Sequence, residues 1–151
     1  MRKKKLWIGG GLLLALLLYA VIFAFRTPLS DYGLPLEKLT VGQNTLAVEV
    51  VDTEDSRAKG LMLRTFLPAN QGMLFVWPDD APRTMWMKDT FIPLDIVFIE
   101  ANGKIAGIVE NAEPHNVSPL GTDRPVRYVL EVPAGDAKRL EMAVGQTVVL
   151  P

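Results

Sequence analysis

The sequence predicts a mainly β domain of the α+β class, small and barrel-like, with two short helices and one N-terminal transmembrane helix ahead of it. Three observations carry this reading. About seven strand-like runs follow one another with no alternation of long helices and strands, which argues against a parallel α/β sheet. Asn102-Gly103 separates two of these runs and supplies a strong hairpin signal, since both residue types tolerate the positive φ of a type I′ turn. The twenty residues Leu6 to Phe25 contain no charge.

That apolar run corresponds to about 30 Å of helix, enough to cross the hydrocarbon core of a bilayer. Trp7 and Tyr19 are of types that favour membrane interfaces, and the basic cluster Arg2-Lys3-Lys4-Lys5 marks the cytoplasmic side. A cleaved signal peptide competes with this reading. Its apolar core is usually shorter, and only Ile22-Phe23-Ala24 offers a weak cleavage site here. The chain therefore divides into a basic stub and anchor (1–26), a linker (27–39) and an exported β-rich domain (40–151) in the periplasm or outside the cell.

The absence of cysteine removes disulfides, thiolate metal sites, cysteine nucleophiles and lipoprotein acylation. From Thr40 there are about 110 residues, sufficient for one core that stands alone. The net charge of −1 hides an asymmetry: beyond Arg26 the chain has 11 Lys and Arg against 17 Asp and Glu, a balance of −6. A nucleic-acid partner calls for a basic patch, so that class is not expected.

Thr27 to Lys38, with two prolines and a glycine, reads as a tether. Thr45 to Val51 is rich in β-branched residues and reads as a strand. The acidic run Asp52 to Asp55 should open a helix through Arg64, with Ala58, Leu61 and Met62 as its buried stripe. Met73 to Trp77 reads as a buried strand, Pro78 to Pro82 as a turn, and Thr84 to Met87 and Ile96 to Glu100 as strands. Lys104 to Glu110 returns from the hairpin, and Glu113 to Pro125 is a surface loop. Val126 to Val132 is a strand, Asp136 caps a short helix through Ala143, Gly145 fits the left-handed position after it, and Gln146 to Leu150 ends the chain as a strand.

Several ordered blocks resemble the bacterial and archaeal family called domain of unknown function 192. They are Arg57 to Arg64, Gly72 to Phe75, Trp86 to Thr90, Ile92 to Phe98 and Tyr128 to Gly135, within a similarity spanning about Thr45 to Val149. Asp89 stands where the family more often has Asn, and Met85 where an aromatic commonly precedes the Trp. The resemblance implies a compact β-rich fold, often exported or membrane-anchored, and brings no activity with it.

The residues themselves propose two sites within the organising stretch Gly72 to Glu100 and its surroundings. Met85 and Met87 at alternate strand positions would put two thioethers on one face, about 7 Å apart at the backbone. With His115, the only histidine, they could hold Cu(I) or Ag(I). Against this, Met85 and Met87 are equally suited to filling a core, with Trp86 a packed or rim aromatic.

The second set is Arg57, Arg64, Lys88, Asp95 and Glu131, charges set among apolar strands and helix. Such charges are seldom buried unless paired. They suit a structural network, or with Trp86 a pocket for a small anionic or zwitterionic ligand gripped by arginine. Asp95 and Glu131 could also form the acid and base of an envelope hydrolase. No nucleophile elbow, phosphate-cradling loop or zinc signature occurs. The expected role is binding or accessory rather than catalytic, with a small molecule or an envelope protein as partner besides the membrane.

Overall fold

The computed structural model describes residues 27–151. The expected anchor, Leu6 to Phe25, lies outside the described residues, and among those described no helix is long and apolar enough to cross a membrane. The elements are β1 (Glu37–Val41), β2 (Asn44–Val51), α1 (Glu54–Lys59), β3 (Gln71–Ala81), β4 (Thr84–Met85), β5 (Leu94–Ile99), β6 (Ile105–Ala112), β7 (Leu120–Gly121), β8 (Val126–Pro133), α2 (Asp136–Arg139) and β9 (Val148–Val149).

Seven strands form one sheet in the order β6-β5-β8-β3-β2-β1-β9, and β4 pairs with β7 beside it. All pairings are antiparallel except β2 with β3, which are parallel and joined across α1. Just before β9 the chain also reaches the other edge: Ile105 N–H donates to Gln146 O, and Val148 N–H to Gly103 O, at 2.9 and 2.8 Å. The two sheet edges are thus tied together at one end, giving a mainly β half-barrel with two short helices.

Strand alternation divides the core in two. Leu74, Val97, Leu130 and Val132 point to one face, where Leu39, Leu46 and Val148 meet them and Ala137 and Leu140 of the α2 segment close over. Met73, Phe75, Ile96, Phe98 and Val129 point to the other face. The small β4–β7 sheet packs against part of that second face through Met85 and Leu120. Leu61, Leu67 and Met87 cover the rest, from the segments after α1 and after β4.

Several elements differ from the sequence reading for physical reasons. α1 stops at Lys59 because Gly60 turns away at φ +47°, so it never reaches Arg64. Its start is fixed by a capping box between Thr53 and Ser56, and it buries no residue: of the expected stripe Ala58 is exposed, while Leu61 is buried and Met62 half-buried beyond the helix. β1 begins at Glu37, inside the expected tether, and Leu39 is fully buried in it. β3 continues through Pro78 to Ala81, with its register against β8 shifting after Val76.

The strand expected over Thr84 to Met87 ends at Met85, and the expected surface loop contains β7. The hairpin at Asn102-Gly103 forms, but only Gly103 has positive φ, at +82°. Gly103 N–H donates to Glu100 O, closing a turn one residue earlier than a two-residue type I′ loop would. Gly135, at φ +88°, caps α2 in place of Asp136, which lies in the first turn of a helix ending at Arg139 rather than Ala143.

Candidate functional site

The second face of the sheet carries a row of four side chains, one per strand: Glu49 on β2, Met73 on β3, Glu131 on β8 and Ile96 on β5. Register partners share a face, so Glu131 lies between the thioether of Met73 and the branched chain of Ile96. Both carboxylates of the row are buried, and they are treated differently. Glu49 is gripped by Arg64, whose two terminal nitrogens donate to its two oxygens at 2.7 and 2.6 Å. The Glu131 carboxyl has no hydrogen-bond or ion-pair partner among the described residues. Burial alone pushes its pKa from 4.5 up to about 8.

Above Glu131 the two covering segments leave a recess of about 30 Å³. Its walls are Arg57 to Met62 on one side and Met85, Trp86, Lys88 and Thr90 on the other, with Phe75 and Glu131 below. Gly60 lets the chain turn tightly here, because a Cβ would meet the ring of Phe75 at 3.1 Å. The opposite wall is positioned by backbone bonds: Met87 N–H donates to Asn116 O at 2.8 Å and Leu63 N–H to Asp89 O at 2.8 Å. Asp89 has φ +52°, a conformation that Asp and Asn adopt more readily than other side chains.

Two wider clefts share Met85 and Trp86 with the recess. One, about 440 Å³, runs past Glu54, Arg57, Phe75 and Trp77. The other, about 250 Å³, lies against Val117 and Pro119. Trp86 is 52% exposed, and the Lys88 ammonium sits 5.5 Å from its ring. The guanidinium of Arg57 donates to Val76 O at 2.8 Å and lies over Trp77, with Arg83 also over that ring. The site thus has a buried acid below, its burial favouring the neutral form, with aromatic and thioether walls and cations at the rim.

Of the residues singled out from sequence, Arg57, Trp86, Lys88, Glu131 and Met85 come together here. Asp95 does not. Its neighbour Ile96 is the register partner of Glu131, so Asp95 points through the opposite face, where it accepts N–H bonds from Asn111, Gly135 and Ala137. The acid and base pair of Asp95 and Glu131 is therefore not formed, since a sheet stands between them. Arg64 is likewise taken up, by Glu49 and by the ring of Tyr32 at 4.1 Å.

The soft-metal trio is also divided. Met87 is fully buried in the core, Met85 lines the cleft, and His115 lies exposed against Phe91 with ring centres 5.2 Å apart. The acidic pair Asp79 and Asp80 is tied to Arg83 and Arg127. Lys59, Thr90 and Phe75 were not foreseen as parts of the site. Glu49 had a legible signal, a lone acid inside the apolar run Thr45 to Val51, the same signal that drew attention to Glu131.

The family model DUF192, described as Uncharacterized ACR, matches residues 37–150. A crystal structure of a protein of unknown function from Novosphingobium aromaticivorans DSM 12444 is 34% identical, with a TM-score of 0.78 over 84% of this chain and 94% of that one. A second crystal structure, of a Sinorhizobium meliloti 1021 protein provisionally named a transcription regulator, is 38% identical. Its TM-score is 0.70 over 74% of this chain and 89% of that one. No curated protein matches the chain.

Proposed function

The chain belongs to the DUF192 family, whose matched region contains every residue of the cleft, and from that premise we propose that it is an envelope domain that binds a small ligand over Glu131. The observation that carries the reading is Glu131 itself. A buried carboxyl without a partner costs stability, and folded chains seldom keep one at the bottom of an open recess unless something uses it. Arg57 and Lys88 at the rim, with Trp86 beside them, supply the charged and aromatic contacts that orient a ligand in such a site.

Placement at the cytoplasmic membrane, with the β domain on the outer side, is supported by Leu6 to Phe25 and the basic cluster before it. The excess of 17 acidic over 11 basic residues beyond Arg26 disfavours a nucleic-acid partner, whatever name the Sinorhizobium relative carries. A two-carboxylate hydrolase and a methionine copper site have less support, since Asp95 and Met87 are both removed from the cleft.

The test is thermal unfolding of the full chain in a mild detergent, against amino acids, sugars, phosphorylated metabolites, Ca²⁺ and Cu(I). A ligand at about 100 times its Kd stabilises the fold by about 2.7 kcal/mol, a shift of several degrees for a domain of this size. The shift should vanish in Glu131→Leu. Ligand-dependent shifts that survive this substitution would move the site elsewhere.

A further inference from the structure

The identity of the ligand can be narrowed further, on the premise that the Glu131 cleft is a binding site. We infer that its ligand is a small organic anion, a carboxylate or a phosphate monoester, with one oxygen accepting a hydrogen bond from the Glu131 carboxyl and its charge facing Arg57, Lys59 and Lys88.

The charges around the recess carry this assignment. Three cations line it, and Glu131 is its only carboxyl. Neither Lys59 nor Lys88 belongs to an ion pair among the described residues. Glu54 reaches only the wider cleft beside Trp77. Glu49, the other acid of the row, is neutralised by Arg64, so it adds no repulsion. From β3 and β5 the groups flanking Glu131 are the uncharged Met73 and Ile96. A cationic ligand would have to pass three like charges and ionise an acid that lies in apolar surroundings. An anion meets the cations directly and finds at the floor an O–H that donates to it, a bond of the stronger, charge-assisted kind.

Size agrees with this division. The recess of about 30 Å³ has room for one or two heavy atoms, so a single oxygen reaches Glu131. The clefts beside Trp77 and Trp86 take the rest of the molecule. The burial that pushes Glu131 up to about 8 keeps the donor in place at neutral pH.

The experiment compares butyrate, methyl phosphate and butylammonium binding to the full chain in a non-ionic detergent at pH 6 and pH 9. Lysine keeps its charge at both values, having an ordinary pKa of about 10.4. At least one of the two anions should bind at pH 6. Measured relative to Glu131→Gln, which cancels the second ionisation of methyl phosphate at about pH 6, the parent's affinity should fall about tenfold by pH 9 as Glu131 gives up its proton. In Glu131→Gln the amide N–H replaces the O–H, so binding should persist and the pH dependence should flatten. Glu131→Leu should bind at least tenfold more weakly than the Gln variant.

Butylammonium binding that depends on Glu131, or anion affinity that rises with pH relative to the Glu131→Gln variant, would overturn the assignment while leaving the cleft a binding site. Equal behaviour of the Gln and Leu variants would overturn the role of the Glu131 proton. If neither anion binds at pH 6, the assignment fails. If the broader ligand panel also gives no shift that depends on Glu131, the binding reading fails with it.

Discussion

Arg64 donates to both oxygens of Glu49 in a bidentate pair, with both side chains buried and the Tyr32 ring lying over the guanidinium. Two strands along the same row, Glu131 has no such partner among the described residues. One face of one sheet therefore carries a carboxylate paired with an arginine and a carboxyl that faces a recess. What separates them is the reach of Arg64. The chain leaves α1 at Gly60 and turns Leu61 to Arg64 back over β2, so this arginine arrives above Glu49 and leaves Glu131 open below the recess.

The ion pair should be costly to break and cheap to replace. Arg64→Leu leaves the Glu49 carboxylate buried alone and should destabilise the domain by about 3–5 kcal/mol, as should Glu49→Leu from the other side. The double variant, with two apolar side chains in contact, should lose much less than the sum. Denaturant unfolding of the four chains gives this cycle directly. A single substitution costing less than about 1 kcal/mol would mean the pair behaves as an exposed one.

Glu131 predicts a pH dependence of the opposite sense to that of a salt-bridged acid. Its pKa is raised in the folded chain, from 4.5 to about 8, so the native state holds its proton more tightly than the unfolded state. Below about pH 4.5 both states are protonated and the residue imposes no ionisation cost. Stability should fall as pH rises from there to about 8 and then level off. Glu131→Gln cannot ionise and should lack this component. Subtracting the two unfolding profiles, pH 5 against pH 8.5, should show the variant gaining on the parent by a few kcal/mol.

Asp95 is an acid whose hydrogen bonds are structural, and substitution tests this. Its oxygens accept from Asn111, Gly135 and Ala137 at 2.8, 2.9 and 2.9 Å, tying the end of β6 and the start of α2 to β5. Asp95→Ala leaves three backbone N–H groups unmet and should cost about 3 kcal/mol or more, while Asp95→Asn, which keeps one oxygen acceptor, should cost less. Neither change should alter the pH dependence assigned to Glu131, because the sheet lies between the two side chains. Loss of that dependence in Asp95→Asn, at full folding, would show that the two acids communicate.

The residues that proved legible in the sequence were those set off from apolar strand runs and those in local turns. The apolar run Tyr128 to Val132 set Glu131 off as a lone acid, and Gly103 marked its turn. Contacts made across the sheet were not legible. Arg57 to Arg64 read as one continuous helix because Gly60 is only a weak breaker by propensity, yet its left-handed φ redirects the chain and decides which acid Arg64 meets. Asp95 and Glu131 looked alike as lone acids, since the β5 to β8 register that puts them on opposite faces is a tertiary fact. Met85 and Met87 looked like a pair because a strand was expected to continue past Met85, where the backbone instead leaves the β4 ladder to enter the core.

Gly72 links the packing of the sheet to the position of the acid. A Cβ at this position would lie 2.6 Å from the carbonyl oxygen of Glu131 and 3.1 and 3.2 Å from the side chains of Val132 and Leu130. The nearest obstacle is backbone, so Gly72→Ala cannot be absorbed by a rotamer change, and β3 must move away from β8. Overpacking of this kind should cost about 1–3 kcal/mol in unfolding experiments. The displacement falls on the residue that bears the acid, while α1 and the segment after β4 are held by their own bonds. Gly72→Ala should therefore weaken anion binding at pH 6 more than Asp95→Asn does when the two are compared at matched native population. If both variants retain equal affinity, the floor of the recess tolerates movement and the placement of Glu131 is less exacting than its burial implies.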